Sequence, residues 1–130
     1  MTKKPRFFCT KVEVRKSGRQ GRGMFATQKI KSGEWIEVAP TLLIPPSEAD
    51  ELLTTFLAHY IFRTDRGRRY VVGLGSTSLF NHSARPNAEF FVSQHMVKIK
   101  ATRAIRVGEE VLVAYGWTDR EWQGVGGYVG

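Results

Sequence analysis

Three histidines, one cysteine and a short run of amide and hydroxyl side chains are the groups in this 130-residue chain whose types and spacing invite chemistry. His59, His82 and His95 share no metal-ligand spacing and have no cluster of carboxylates beside them, which argues against a metal site. Cys9 is the only cysteine, so neither an internal disulfide nor a cysteine-based zinc cluster is available, and a reducing compartment is expected. Ser83 follows His82 directly, but neighbours in an extended chain point apart, so the pair is no nucleophile and base. The stretch LFNHSARPN, residues 79–87, is different in kind. It sets Asn81, His82, Ser83 and Asn87 in an otherwise apolar neighbourhood, where polar groups must find partners or lose free energy. An asparagine amide offers two donors and one acceptor. Asn81 therefore suits a turn bonded to backbone or the polar edge of a ligand, and the residues alone leave both open.

Two other segments carry candidate groups. GRQGRG, residues 18–23, is rich in glycine, and such loops cradle phosphates when they open a helix after a strand. Here the following MFATQKI looks like strand, the glycine order is not the dinucleotide fingerprint, and no Walker lysine follows. The segment reads as a turn, or as a place where Gly21 and Gly23 let the backbone approach some other ligand. Tyr115 ends the apolar run VLVAY, a position usual for a core ring with its hydroxyl at the rim.

The elements that must position these groups are mostly short strands. CTKVEVRKS alternates and predicts a strand with Val12 and Val14 on one face. MFATQKIKSGEWIEVAP predicts two strands joined by a turn at Lys31-Ser32-Gly33. ATQKIKSGEWIEVA (26–39) aligns without a gap on ATRAIRVGEEVLVA (101–114), either as converged turn chemistry or as a pseudo-symmetric core. A helix is expected from about Ser47 to Phe62, with Ser47 as N-cap and Leu52, Leu53, Phe56, Leu57, Tyr60 and Ile61 at helical spacing. RTDRGRR reads as a charged loop and YVVGLG as a strand ended by glycine. AEFFVS and MVKIKA form an expected hairpin through Gln94-His95, and the Gly-rich tail is expected to order in part by packing its aromatics. The absence of a βαβ alternation argues against a doubly wound sheet.

Length suits one domain covering residues 1–130. Hydrophobic residues make up 42% and charged residues 25%, as in ordinary globular proteins. The formal charge of +8 favours phosphate backbones, acidic proteins or anionic lipid as partners without choosing among them. The N-terminal apolar stretch is too short for a signal-peptide core, and no run approaches the roughly 20 apolar residues of a membrane span. An intracellular, soluble protein with no membrane association is expected.

Taken together and in this order, GRGMFAT, LFNHSARPNAEF and GEEVLVAYGW resemble the SET domain, over a core from about Lys11 to Trp122 with a Gly-rich tail at 123–130. The chain is most similar to the compact single-domain viral and bacterial members, which AHYIFR ahead of GLGSTSLFNHS also fits. The resemblance implies a mostly β (α+β) fold of small curved sheets around a knot-like C-terminal crossing, with one helical insert. It implies a protein lysine methyltransferase that uses S-adenosylmethionine, in the cytoplasm or nucleoid, or in a host nucleus if it acts on host chromatin. By this resemblance Tyr115 orients amine and methyl at the base of a channel, and Tyr60 lines that channel or approaches the cofactor. Phe90 sits where ring size influences the number of methyls added, with Val113 and Trp117 also along the channel. Gly21, Arg22, Gly23 and Met24 meet the cofactor, chiefly through backbone. Asn81 and His82 contact its amino-acid and adenine portions, and Trp122, or Trp117 in its place, covers the adenine. Compact relatives often have Tyr-Trp where this chain has Glu121-Trp122, and only Tyr128 offers a substitute in the tail.

The substrate implied is a basic or histone-like protein tail. A cationic enzyme then needs a local acidic groove, for which Glu34, Glu37, Glu48, Asp50 and Glu51 are the candidates, or nucleic acid near the substrate as a partner. The competing reading is a non-catalytic module that binds cofactor, peptide or nucleic acid. A homodimer is open.

Overall fold

The computed structural model describes residues 7–18, 21–64 and 69–114. The strands are β1 (Phe8–Cys9), β2 (Val12–Ser17), β3 (Gly21–Ala26), β4 (Trp35–Leu43), β5 (Ile61–Arg63), β6 (Tyr70–Gly73), β7 (Asn81–His82), β8 (Ala88–Val92), β9 (Met96–Ala101) and β10 (Leu112–Ala114). One α-helix, α1 (Pro46–Leu52), and two 3₁₀ turns, Phe56–Tyr60 and Thr77–Leu79, complete the described elements.

β2 and β3 pair antiparallel from Val12↔Ala26 to Ser17↔Gly21. The strand expected around Val12 is present, but only Val12 is buried, while Val14 is 47% exposed. A two-stranded ribbon has core beneath one end only. β3 also begins inside the glycine-rich segment, so GRG is strand and not turn. The other strands form one curled sheet in the order β5-β6-β4-β9-β8-β10-β7, with β1 added on β4. The expected hairpin is the β8–β9 pair, closed by a bond from Ser93 N to Met96 O. β10 runs parallel to both neighbours, with Leu112 opposite Asn81 on β7 and Val113 opposite Ala88 on β8. The C-terminal strand thus inserts between two strands that the chain has already joined.

The internal repeat is structural. Ile30 and Ile105, at matching offsets, exchange both backbone bonds at 2.9 and 2.8 Å. Gly33 N donates to Ala101 O, and its counterpart Gly108 N donates to Ala26 O, both at 2.8 Å. Ala101 N donates to Glu34 O, and Ala26 N to Glu109 O, both at 2.9 Å. The two turns need their glycines, at φ +86° for Gly33 and +83° for Gly108, a backbone region other residues rarely adopt. The copies are packed face to face about a local two-fold, which decides for the pseudo-symmetric core.

The helix is shorter than its spacing predicts. α1 spans Pro46–Leu52 with Pro45 at the N-cap position and no side-chain cap, so Ser47 lies inside the first turn. Thr54 and Thr55 then turn their hydroxyls back onto Glu51 O and Leu52 O, both at 2.7 Å. Hydroxyls bonded to nearby carbonyls offer the chain an alternative to helix propagation. Phe56–Tyr60 form a 3₁₀ turn, and Ile61 and Phe62 belong to β5. Part of the apparent helical spacing therefore belongs to a strand buried at Ile61 and Phe62.

The main core joins both repeat copies to the sheet, through Met24, Ile30, Ile36, Phe80, Val97, Ile99, Ile105, Val111 and Val113. A smaller cluster of Ile44, Ala49 and Ile61 seats α1. No helix among the described residues is long and apolar enough to cross a membrane.

Candidate active site

The site is assembled where β3, β7 and the segment leading into β10 meet. Asn81 is buried at 5% exposure at the start of β7. Its Nδ2 donates to Arg22 O and to Glu110 Oε2, both at 2.8 Å. Ser17 Oγ donates to the same carboxylate, at 2.8 Å to Oε1. One acidic side chain from the C-terminal repeat copy therefore ties β2 to β7, and Asn81 carries the link on to β3. Gly23 is the residue that makes room. A Cβ on it would lie 2.2 Å from Glu110 Oε2 and 2.9 Å from Asn81 Nδ2. What approaches the backbone at Gly23 is thus the chain's own carboxylate and amide. Gly21, at φ +80°, has nothing among the described residues within 4 Å of where its Cβ would be.

Asn87 performs the matching task on the other side of β10. Its Nδ2 donates to Glu110 O at 2.9 Å and its Oδ1 accepts from Leu112 N at 2.8 Å. Its backbone N donates to Leu112 O and its O accepts from Thr102 N, both at 2.9 Å. The two asparagines of LFNHSARPN hold the inserted segment from both flanks, so their polarity in an apolar setting is explained. Backbone groups left unpaired at such a crossing would each cost about 1–3 kcal/mol.

The aromatic candidates lie on other elements. Tyr60 ends its 3₁₀ turn half-buried, edge-on to Phe56 with ring centroids 6.4 Å apart. Its carbonyl accepts from Ser78 Oγ at 3.0 Å, which ties that turn to the one leading into β7. Phe90 on β8 is half-buried against the core and packs edge-to-face on Phe62 at 4.8 Å. His82 is half-buried on β7 opposite Val113. Met24 and Val113, expected to meet cofactor and channel, have core side chains at 2% and 0% exposure. Arg22 is exposed at its side chain and engaged at its carbonyl. Tyr115, Trp117 and Trp122, together with Tyr128, lie outside the described residues, although β10 delivers the chain to Ala114 immediately before Tyr115.

Two of the acids expected in a substrate groove are engaged elsewhere. Glu34 pairs with Lys11 at 2.7 Å, and that hydrogen bond lowers its pKa. Glu37 is 1% exposed and accepts from Ser76 N and Oγ at 2.9 and 2.6 Å. Burial pushes its carboxyl above the ordinary value of 4.5 against the pull of those bonds. Glu48, Asp50 and Glu51 remain exposed on α1. Among the described residues no group of three or more histidine, cysteine, aspartate or glutamate side chains is placed to hold a metal ion.

The SET domain family profile matches residues 21–116, most of the chain. The chain belongs to the SET domain family. Over 114 residues it is 30% identical to a histone-lysine N-methyltransferase of Schizosaccharomyces pombe described as specific for lysine 37 of histone H3, covering 85% of this chain and 76% of that protein. It also superposes on the crystal structure of a candidate histone methyltransferase from Plasmodium falciparum with a TM-score of 0.72 at 28% identity, covering 87% of this chain and 99% of that one. The SET chain is accordingly a protein-lysine methyltransferase.

The curled sheet, the single helix and the insertion of β10 agree with the family fold. Residue type and spacing do not single out Glu110 or Ser17 in the sequence, and Asn87 stands out only as part of its motif.

Proposed function

We propose that the SET chain transfers a methyl group from S-adenosylmethionine to the side-chain amine of a lysine in a basic, histone-like protein tail. The observation that carries this reading is the cluster of Asn81, Glu110, Arg22 and Gly23. The bonds Asn81 makes among the described residues run from Nδ2, which leaves Oδ1 as an acceptor for a cationic ammonium. Gly21, with open space at its Cβ position, lets a ligand lie against the β3 backbone. These residues fit the amino-acid end of the cofactor, which when bound supplies an electrophilic methyl on a sulfonium.

The chain's own residues do the rest. A free lysine amine has a pKa of about 10.4 and is mostly protonated at neutral pH. The half-buried rings of Tyr60 and Phe90 favour the neutral amine by desolvation, while their faces still attract an incoming cation. Tyr115 is assigned the task of orienting the amine lone pair, and holding reactants in line contributes a large part of such rates. His82 and one of Trp122 and Trp117 are assigned to the adenine. Glu48, Asp50 and Glu51 are the acids left to draw a basic tail.

Calorimetry with S-adenosylmethionine, followed by mass spectrometry of basic protein substrates, tests the reading. Tyr115→Phe is expected to bind the cofactor nearly as wild type and to lose transfer. Unchanged turnover would remove Tyr115 from the mechanism, and nucleic-acid affinity with no cofactor binding by the wild-type chain would favour the non-catalytic module.

A further inference from the structure

We propose that the outer face of β4, β9 and β8 is a docking platform for single-stranded nucleic acid, with Trp35 as the ring on which a base stacks. Alternation along β9 sends Val97, Ile99 and Ala101 into the core and leaves Met96, Lys98 and Lys100 half-exposed on the opposite face. The register sets Lys100 opposite Trp35 on β4 and Lys98 opposite Phe91 on β8. Trp35 and Phe91 reach across β9 to meet edge-to-face at 5.7 Å, with an interplanar angle of 72°. The ammonium groups of Lys98 and Lys100 lie 5.3 and 5.4 Å from the Trp35 ring centroid. A shallow depression of about 290 Å³ opens beside them, bordered also by Ser93, His95 and Met96. The Trp35 backbone is held from behind, since Lys11 Nζ donates to its carbonyl at 2.7 Å.

Charge and ring together select the occupant. Lysines on alternate strand positions take phosphates, and the half-buried Trp35 ring with the exposed Phe91 ring beside it takes unpaired bases. A duplex hides the faces of its bases, and an acidic peptide uses the lysines without the ring. Glu89, opposite Lys100 on β8, bounds the platform on that side. The net charge of +8 is compatible with this partner, as it is with acidic proteins and anionic lipid. The repeat adds a reason for the position. Trp35 pairs with Lys100, and the equivalent pair in the other copy is Glu110 with Phe25, which is the corner of the candidate active site.

The test is fluorescence anisotropy of labelled oligo(dT) with the full chain, between about 50 and 200 mM salt. Binding is expected, weakened roughly tenfold by Trp35→Ala, the scale of one lost base stack, and largely kept by Trp35→Phe. Lys98→Gln should reduce the salt slope by about 0.7, the value for one phosphate contact on a single strand, while methyl transfer to a free peptide stays unchanged. Equal affinity for a duplex, equal competition by polyglutamate, or a Trp35→Ala protein that binds like wild type would each overturn the proposal. Should Trp35→Ala fail to fold, Lys98→Glu checked by circular dichroism replaces it; lost binding supports the platform and unchanged binding overturns it.

Discussion

Gly23 and Glu110 define each other at the residue scale. The carboxylate occupies the space a side chain at Gly23 would need, so Gly23→Ala forces either the acid or β3 to move. Overpacking of this kind costs about 1–3 kcal/mol, and denaturant unfolding should show a loss in that range together with weakened S-adenosylmethionine binding by calorimetry. Glu37 predicts a pH effect of definite sign. Its folded pKa lies above the ordinary 4.5, so its contribution to stability is present below that value and is lost as pH rises through the raised pKa. The stability of wild type relative to Glu37→Gln should therefore fall from about pH 4.5 upward, measured by thermal melts across the range. Glu109 works in the opposite direction. Burial raises its pKa, but bonds from Arg106 N and Arg103 outweigh that and leave it lowered, so its contribution fades on acidification. Asn81 was legible in the sequence because an amide among apolar residues demands a partner. Glu110 was not, because a glutamate beside a glycine turn reads as surface until the residues around it are known.

Asn87 acts at the scale of the element, since its side chain satisfies Glu110 O and Leu112 N at the entry to β10. Asn87→Ala should destabilise the chain by about 3 kcal/mol by leaving both groups unpaired in a buried setting. Hydrogen exchange at the Leu112 amide should quicken in the variant; unchanged protection there would show that β10 is held by its neighbours alone. The strands were legible wherever polar and apolar residues alternate, as along MVKIKA, and both repeat turns were legible through their glycines. The long helix was not, because Ile61 and Phe62 continue a helical spacing while serving as strand, and the threonines that end α1 act through hydroxyl bonds rather than through pattern. Insertion of β10 between β7 and β8 could be expected only from resemblance, since no local feature of LVA states which strands it will join.

At the scale of the whole molecule, ligand binding and stability are one quantity. S-adenosylmethionine at about 100 times its dissociation constant should stabilise the chain by about 2.7 kcal/mol, seen as a raised melting temperature. No change at saturating concentration would argue against cofactor use. The overall charge was legible from composition, but its distribution was not. Two acids that look available in the sequence, Glu34 and Glu37, are committed to Lys11 and Ser76. The order in which β10 is made has a last consequence. β7 and β8 precede Glu110 in the chain, and until that acid is added Asn81 and Ser17 lack the carboxylate to which both donate. A chain broken off before Glu110 therefore holds Asn81, Ser17 and Arg22 without the carboxylate that Asn81 and Ser17 share. Truncation ahead of Glu110 should therefore loosen the contact between β2 and β7 even where both strands are present.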